Sequence, residues 1–404
     1  MAVGPGTLPD FEAIAGFRLG TACAGIKTPG RKDLVVMELA ETSSVAGVFT
    51  QNAFCAAPVT LSKAHMAKQA PRYLLVNTGN ANAGTGTEGM ADAVSCCEQL
   101  ALLTGDASAA VLPFSTGVIG EKLPVEKIHA GLPQALETLS EQGWGDAASG
   151  IMTTDTRPKG ASRCVEIDGK TVRISGISKG AGMIRPNMAT MLAFVATDAQ
   201  VSQPALQQLL SEVAERTFNR VTIDGDTSTN DSCMLVATGA VDAGLDGESD
   251  CWTLFAEAIE SVLLELAQAI VRDGEGATKF VTVEVSAAAS GEEALKTAYT
   301  IAHSPLVKTA LFASDPNWGR ILAAVGYAGI EQLDLEALKI YLDGVCIVEN
   351  GGRAASYTEE QGQAVMSQDE ISIRVQLNRG GCSETVWTTD LSKDYVAINA
   401  DYRS

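Results

Sequence analysis

The chain has 404 residues, which is enough for two domains of ordinary size. Hydrophobic residues make up 46% and charged residues 19%, the composition of a globular protein with a full core rather than of a disordered chain. The 29 basic and 49 acidic residues leave a net charge of −20, which repels phosphate backbones and anionic membranes. This charge argues against nucleic acid or a membrane as a partner.

The N-terminus and the cysteines predict a cytoplasmic protein. No basic segment precedes an apolar stretch at the N-terminus, and no apolar run is long enough for a membrane helix, so neither a signal peptide nor a membrane span is predicted. The nine cysteines are odd in number and include no C-x-x-C pair, and only three histidines are present. We therefore expect buried, reduced thiols and no metal site.

Strands and helices are both predicted along the chain, from alternating apolar runs and from apolar stripes at helical spacing. In chain order they are strands at 33–50 and 72–77, helices at 89–104 and 125–142, a strand–turn–strand at 163–177, a strand at 190–197, helices at 203–217 and 251–272, and strands at 278–287, 337–349 and 370–377. The dipeptide Asp168-Gly169 marks the turn of the strand–turn–strand. The small-residue stretch 286–292 predicts a domain boundary near 280–290.

Residues 179–197 suggest unusual chemistry at Thr190. A glycine-rich loop runs through Pro186 and Asn187 to Ala189 and Thr190 and then enters an apolar strand, a suitable place for a strained peptide bond. The threonine hydroxyl can attack the carbonyl of Ala189 and convert the amide into an ester, which water opens. The new α-amine of Thr190, with a reference pKa of about 7.7–8.0, can then accept the hydroxyl proton and activate the nucleophile. On composition alone, a threonine that starts a strand reflects only β-propensity.

Several segments together resemble one enzyme family. They are LPFSTGVIG (112–120), IMTTDTRPK (151–159), DGEGATK (273–279), the terminal INADYRS, and the blocks at 76–86, 222–232 and 314–321. In addition, the runs from Lys179 to Met183 and from Ala189 to Leu192 resemble the self-cleavage signature of the ornithine acetyltransferase / glutamate N-acetyltransferase family of arginine biosynthesis, the ArgJ family. The resemblance covers nearly the whole chain.

The resemblance implies the catalytic groups. The chain would be cut between Ala189 and Thr190, and Thr190 would be the nucleophile. The hydroxyl of Thr116 and the backbone N–H of Gly117 would form the oxyanion hole, where glycine allows a close approach of the backbone.

The resemblance also implies a set of substrate-binding residues: Thr153, Lys179, Thr190, Glu275, Asn399 and Ser404. Lys179 would meet the substrate carboxylate through a charge-assisted hydrogen bond, and Glu275 would meet the amino group of ornithine. Thr154 and Thr156 remain open as alternatives to Thr153.

The implied fold is a layered α/β sandwich main domain, 1–280, followed by a smaller α/β domain, 281–404. The precursor would become an α chain, 1–189, and a β chain, 190–404, which assemble as α2β2. The implied reaction moves the acetyl group of N2-acetylornithine to glutamate through an acetyl-threonine and needs no cofactor or metal. Some family members also use acetyl-CoA as a co-substrate, and the sequence leaves open whether this chain does.

Other protein classes remain as alternatives. An N-terminal-nucleophile amidohydrolase or aminopeptidase would share the self-cleavage and pass the acyl group to water. The glycines of 84–89 match the G-x-G-x-x-G fingerprint of dinucleotide-binding enzymes, but the preceding strand is predicted to end at Asn77, too far from the first glycine. A non-enzymatic binding protein is a third alternative. Asp224, Asp226 and Asp231 lack the spacing of a calcium loop and are interpreted as loop residues near the active site, without a metal.

Overall fold

The computed structural model describes residues 2–185, 191–245, 247 and 250–401 of the chain. They divide into two compact units: the larger comprises Gly6–Asn219 and Asp226–Ile270, and the smaller comprises Met1–Pro5, Arg220–Gly225 and Val271–Ser404. The domains predicted at 1–280 and 281–404 stay a prediction.

The first sheet of the larger unit contains β1 (Phe17–Ala22), β2 (Leu34–Leu39), β4 (Tyr73–Asn80) and β5 (Val111–Val118). Their order is β1-β2-β4-β5. β2 is antiparallel to both of its neighbours, whereas β4 and β5 run parallel. The C-terminal ends of β4 and β5 therefore lie at the same edge of the sheet, and this edge carries Thr116 and Gly117.

The second sheet of the larger unit contains β3 (Ser44–Phe49), β6 (Lys159–Ile167), β7 (Lys170–Lys179), β8 (Leu192–Ala199) and β9 (Ser232–Val241). Their order is β3-β9-β8-β7-β6, with β8 parallel to β9 and antiparallel to β7. All eight residues of β8 are buried. A strand covered on both faces needs a near-continuous apolar run, and this strand begins Leu-Ala-Phe-Val-Ala.

The helices of the larger unit are α1 (Ala57–Met66), α2 (Gly86–Thr104), α3 (Val125–Glu137), α4 (Trp144–Gly150), α5 (Gln203–Arg216) and α6 (Asp250–Arg272), the last two residues of which belong to the smaller unit. Residues of α2 and α3 join those of the first sheet in one buried apolar cluster. The apolar stripe predicted on α6, which includes Phe255, Ile259 and Leu266, is fully buried.

A second apolar cluster of the larger unit collects side chains from both of its sheets. Phe114 of β5 meets Phe194 of β8 edge to face, with 5.2 Å between the ring centroids. Trp144 of α4 stacks on Phe17, with centroids 5.2 Å apart, and is fully buried. Each such side chain contributes about 1.5–3 kcal/mol through burial, so this cluster fixes β5 and β8, the two strands that bear on the site.

The smaller unit has a six-stranded sheet of β10 (Phe280–Ala288), β11 (Lys339–Leu342), β12 (Val345–Glu349), β13 (Gly352–Arg353), β14 (Glu370–Gln376) and β15 (Cys382–Thr389). Their order is β13-β12-β11-β14-β10-β15, and only β10 and β14 pair in parallel among these described strands. Its helices are α7 (Gly291–Ala302), α8 (Pro305–Phe312), α9 (Trp318–Gly326), α10 (Glu359–Met366) and α11 (Lys393–Ala400). The unit has an apolar core of its own.

The described residues thus form a mixed α/β protein with three mixed sheets, which confirms the predicted α/β class. None of the helices described is both long enough and apolar enough to cross a membrane.

Local turn chemistry was predicted correctly. Asp168 and Gly169 have φ values of 49° and 71° and join β6 to β7, as expected for an Asp-Gly hairpin. α2 ends at Thr104, and Gly105 adopts the left-handed conformation, φ 80°, that closes many helices.

Three predicted elements were wrong in extent. Residues 337–349 form two antiparallel strands, β11 and β12, because the chain turns at Asp343, whose φ is 47°. Residues 33–50 form two strands in different sheets, because the chain turns at Ala40, whose N–H bonds to the carbonyl of Gly16. The helix predicted at 125–142 ends at Glu137, because Ser140 pairs with Leu19 of β1 instead of continuing the helix.

The cysteines are all reduced, but most are not buried. Only three of the nine are buried: Cys96, Cys97 and Cys233. The others are exposed or half-buried, so the expectation of a uniformly buried set was wrong; thiols such as Cys23 and Cys382 lie on turns and strand ends, where no core covers them.

Candidate active site

Gly117 lies where two strands come unusually close. Its φ is 136°, and a Cβ atom added to it would lie 2.3 Å from the carbonyl carbon of Gly79 and 2.5 Å from the nitrogen of Asn80. Gly117 lies opposite Gly79, and the pairing of β4 and β5 shifts register at the next residue, Asn80, which pairs with both Thr116 and Val118. Only glycine fits here, so no side chain separates the backbone at the end of β5 from that of β4.

Lys179, the last residue of β7, brings two of the predicted residues together. Its ammonium nitrogen donates to the hydroxyl oxygen of Thr116 at 2.9 Å and to that of Thr153 at 3.1 Å. Lys179 is buried, with 4% of its surface exposed. A hydroxyl has one hydrogen to donate, and since an ammonium group cannot accept, the hydrogen of Thr116 is directed to another partner.

Asp155 lies next to Thr153 and Lys179 and contacts the backbone there, and it was not predicted as a site residue from the sequence. Its Oδ1 accepts from the Lys159 ammonium at 2.6 Å and from the N–H of Gly180 at 2.7 Å, and its Oδ2 accepts from the N–H of Thr153 at 2.9 Å. Burial would raise the pKa of Asp155, but the charges of Lys159 and Lys179 outweigh it and hold the pKa well below its usual range. Asp155 is therefore a carboxylate at neutral pH. The only sequence signal is its i,i+4 spacing to Lys159.

Two neighbouring residues, Asn230 and Asp231, contact β5 and the residue that precedes β8. The side-chain amide of Asn230 donates to the carbonyls of Ser115 at 2.9 Å and of Ala81 at 2.6 Å. The Oδ1 atom of Asp231 accepts from the N–H of Met191 at 2.7 Å. Asn230 was also missed, because its partners are distant in sequence.

In the smaller unit, Glu275 and Asn399 lie together. The amide of Asn399 donates to Oε2 of Glu275 at 2.8 Å, and Glu275 is only 8% exposed. The next residue, Gly276, has φ 67°, and a Cβ there would lie 2.5 Å from the hydroxyl oxygen of Ser392, the N-cap of α11. The loop that carries Glu275 is thus packed closely against the start of the helix that carries Asn399.

The larger unit therefore brings together Thr116, Gly117, Thr153 and Lys179, and the smaller unit brings together Glu275 and Asn399. Ala189, Thr190 and Ser404 lie outside the described residues. The functional roles of all these residues stay predictions, and so does the choice among Thr153, Thr154 and Thr156.

The glycine-rich segment at 84–89 differs from the prediction in one respect. β4 extends to Asn80, not Asn77, because it continues its pairing with β5 through a register shift, so the gap before Gly84 is short. However, β4 is antiparallel to β2, whereas dinucleotide-binding folds use a mostly parallel sheet. Within the part of the chain that is described, no group of three or more His, Cys, Asp or Glu side chains is placed to hold a metal ion.

This arrangement suits an enzyme that stabilises an oxyanion during acyl transfer: a buried cation orients a hydroxyl next to a backbone that only glycine allows. Comparisons with known proteins agree. A model described as the ArgJ family matches residues 18–404. The arginine biosynthesis bifunctional protein ArgJ of Pseudomonas fluorescens (strain Pf0-1) is 61% identical over 100% of both chains.

Two solved structures are also similar. The arginine biosynthesis bifunctional protein argJ from Bacillus halodurans is 39% identical and covers 51% of this chain and 97% of its own, with a TM-score of 0.47. The ornithine acetyltransferase from Mycobacterium tuberculosis, complexed with ornithine, is 32% identical and covers 43% of this chain and 93% of its own, with a TM-score of 0.38.

The chain belongs to the ArgJ family, which confirms the resemblance inferred from its motifs and, with it, the predicted enzyme class, an acetyltransferase of arginine biosynthesis.

Proposed function

We propose that the chain transfers the acetyl group of N2-acetylornithine to glutamate, and that it also makes N-acetylglutamate from acetyl-CoA and glutamate. The bifunctional relative, 61% identical over its full length, supports both activities. The ornithine found in the Mycobacterium tuberculosis structure supports the first substrate. The observation that carries the proposal is the pair of hydrogen bonds from Lys179 to Thr116 and Thr153.

Maturation by self-cleavage between Ala189 and Thr190 is part of this proposal. Two residues near this bond, one on each side of it, are held by carboxylates: the N–H of Gly180 bonds to Asp155, and the N–H of Met191 bonds to Asp231. These two contacts support the proposal, because attack by the Thr190 hydroxyl on the Ala189 carbonyl requires a defined geometry. The products would be an α chain, 1–189, and a β chain, 190–404.

Acetyl transfer would follow in two halves. The Thr190 oxygen attacks the acetyl carbonyl and its proton passes to the Thr190 α-amine. The oxyanion is stabilised by the Thr116 hydroxyl and the Gly117 N–H, the C–N bond breaks, and ornithine leaves with the proton. Glutamate then attacks the acetyl-threonine ester through its own amine, and the same steps run in reverse to give N-acetylglutamate.

Substrate recognition would use charges of both signs. Lys179 offers a cation for a carboxylate, and Glu275 offers an anion for the ornithine amino group. Asn399, which donates to Glu275, and Ser404 complete the proposed set of substrate-binding residues. The cluster of apolar side chains shared by the two sheets of the larger unit supports the layered sandwich architecture. Assembly as α2β2 and a cytoplasmic location belong to the same proposal.

The purified protein, incubated in parallel with three substrate mixtures, tests the function. N2-acetylornithine with glutamate should give ornithine and N-acetylglutamate in equal amounts, and acetyl-CoA with glutamate should give N-acetylglutamate. N2-acetylornithine alone should release little ornithine. Stoichiometric acetate release, independent of glutamate, would instead identify an amidohydrolase.

A further inference from the structure

The side chain of Asp155 is completely buried, and so is that of its partner Lys159, at 0% and 1% exposure. Two buried charges of opposite sign satisfy each other, and such a pair can often be replaced by apolar side chains without loss of stability. Stability alone therefore does not explain why a carboxylate stands at this position.

The other contacts of Asp155 point to the site. Its carboxylate also accepts two backbone N–H groups, that of Thr153 itself and that of Gly180, the residue after Lys179. Gly180 has φ 149°, a conformation that other residues rarely adopt. One carboxylate thus fixes the N–H of Thr153 and the peptide group between Lys179 and Gly180, and the side chains of Thr153 and Lys179 contact each other.

The loop that carries Thr153 is held from a second direction by Arg31. Its guanidinium donates to the carbonyls of Met152 at 2.6 Å and of Thr153 at 3.2 Å. Arg31 therefore holds the carbonyl side of the loop and Asp155 the N–H side. Neither contact involves a side-chain atom of Thr153, so its hydroxyl remains available to Lys179.

We propose that Asp155 is a positioning residue for acyl transfer: it sets the separation of Thr153 and Lys179, and so aims the Lys179 ammonium at the Thr116 hydroxyl. The proposal rests on the proposed function and deepens it. Without the carboxylate, the backbone at Thr153 and at Gly180 loses its common acceptor. Lys179 then samples positions in which it no longer donates to Thr116, and the hydroxyl is no longer oriented toward the oxyanion.

The test compares the double variant Asp155→Leu/Lys159→Met with the wild type. The pair removes both charges of the ion pair together, which is less disruptive than removing one of them, so the variant should fold. The Lys179 ammonium and the N–H groups of Thr153 and Gly180 lose the nearby carboxylate, so the stability of the variant should be lower than that of the wild type. We expect a lower melting temperature, because two backbone N–H groups lose their acceptor, and activity is therefore compared well below that temperature. We also expect kcat per cut chain to fall about 10²-fold, the size of effect that misplacement of a catalytic group produces, with a smaller change in KM. Asp155→Asn keeps one acceptor oxygen and should lie between the two.

Asp198→Asn is the matched control. Asp198, in β8, is also a buried carboxylate. It accepts from the backbone N–H of Arg173 at 2.8 Å and forms an ion pair with the Arg173 guanidinium at 3.3 Å. None of the described partners of Asp198 is a site residue. The substitution should therefore change stability and leave kcat near the wild-type value.

Amide hydrogen exchange gives a readout that does not depend on catalysis. The Gly180 amide should exchange at least tenfold faster in Asp155→Leu/Lys159→Met than in the wild type, beyond any acceleration that the amides of β8 show. A folded, cut double variant with wild-type kcat and an unchanged Gly180 amide would overturn the proposal. Failure of the wild type to transfer acetyl would count against the proposed function instead, and the exchange data would still decide whether Asp155 fixes the backbone.

Discussion

The ammonium nitrogen of Lys179 lies 2.9 Å from the hydroxyl oxygen of Thr116, and this contact determines the direction in which the hydroxyl can donate. A lysine ammonium carries only donors, so Thr116 accepts from it and keeps its own hydrogen for a different acceptor. The contact also joins the end of β7 to the end of β5, strands from the two sheets of the larger unit. A group that donates to a transient oxyanion needs such a fixed orientation before the reaction begins.

Thr116→Val should lower kcat about 10²–10³-fold, because it removes one oxyanion donor while keeping the shape of the side chain. Steady-state kinetics of acetyl transfer, per cut chain, measure this. Thr116→Ser keeps the hydroxyl and is the control, expected within about tenfold of the wild type. If Thr116→Val transferred acetyl at the wild-type rate, the oxyanion role would be lost.

Thr190→Ala should remain a single chain and be inactive, because the variant lacks the attacking hydroxyl. Intact-mass spectrometry should find one full-length species, whereas the wild type should give two fragments, the second beginning TMLAF. A variant that was still cut at this bond would rule out Thr190 as the cleaving nucleophile.

Glu275→Gln should raise the KM for N2-acetylornithine about tenfold or more, since a hydrogen bond to a charged group contributes roughly 1.5–3 kcal/mol. Glutamine keeps an oxygen for Asn399, which donates to Oε2 at 2.8 Å, so the loop should hold its conformation. Unchanged KM values for all substrates would remove Glu275 from the binding site.

Gly117→Ala should destabilise the larger unit, because its φ of 136° and the 2.3 Å approach of a Cβ to Gly79 both oppose a side chain. The backbone conformation alone costs roughly 1–3 kcal/mol. Gly120→Ala is the matched control: its φ is 82°, and a Cβ there meets nothing within 4 Å. Equal urea midpoints for the two variants would mean that the approach to Gly79 carries no cost.

Stability should fall at alkaline pH in part through Cys96. Burial first, and the charge of Asp92 second, raise the pKa of this thiol from 9.0 to about 12. Because the folded-state pKa is the higher one, the stabilisation is complete below pH 9 and is lost as the pH rises toward 12. Between pH 8 and pH 11, Cys96→Ala should therefore lose roughly 2–3 kcal/mol less of its free energy of unfolding than the parent.

Urea unfolding at both pH values, in the uncut Thr190→Ala background, measures this difference. Cys23→Ala, which removes an exposed thiol, is the control. If the free energies of unfolding of Cys96→Ala and of its parent changed equally with pH, the contribution assigned to the Cys96 thiol would be wrong.

The sequence predicted those features that depend on neighbouring residues. The Asp168-Gly169 hairpin follows from local backbone conformation and is confirmed, and so is the end of α2 at Thr104. The long stripe of α6 follows from helical spacing. The sequence pattern did not predict β1. It also did not predict the end of α3, because Ser140 pairs with Leu19, more than a hundred residues away in the chain.

The same limit applies to the site. The segments that hold Thr116, Thr153 and Lys179 were identified through a family resemblance, not through spacing. Asp155 was missed because two of its three described partners are backbone N–H groups, which carry no mark in the sequence. Asn230 likewise acts on carbonyl groups of distant residues.

The position of β8 and β9 has a consequence for how the mature molecule could be reassembled. In the order β3-β9-β8-β7-β6, a cut before Thr190 would assign the adjacent strands β9 and β8 to one polypeptide. The strands on either side of them, β3 and the pair β7 and β6, would belong to the other. Neither polypeptide could complete the sheet by itself, since each would expose unpaired strand edges. Denatured mature protein would then have to recover its structure by a second-order encounter that becomes slower on dilution, whereas the uncut precursor needs none.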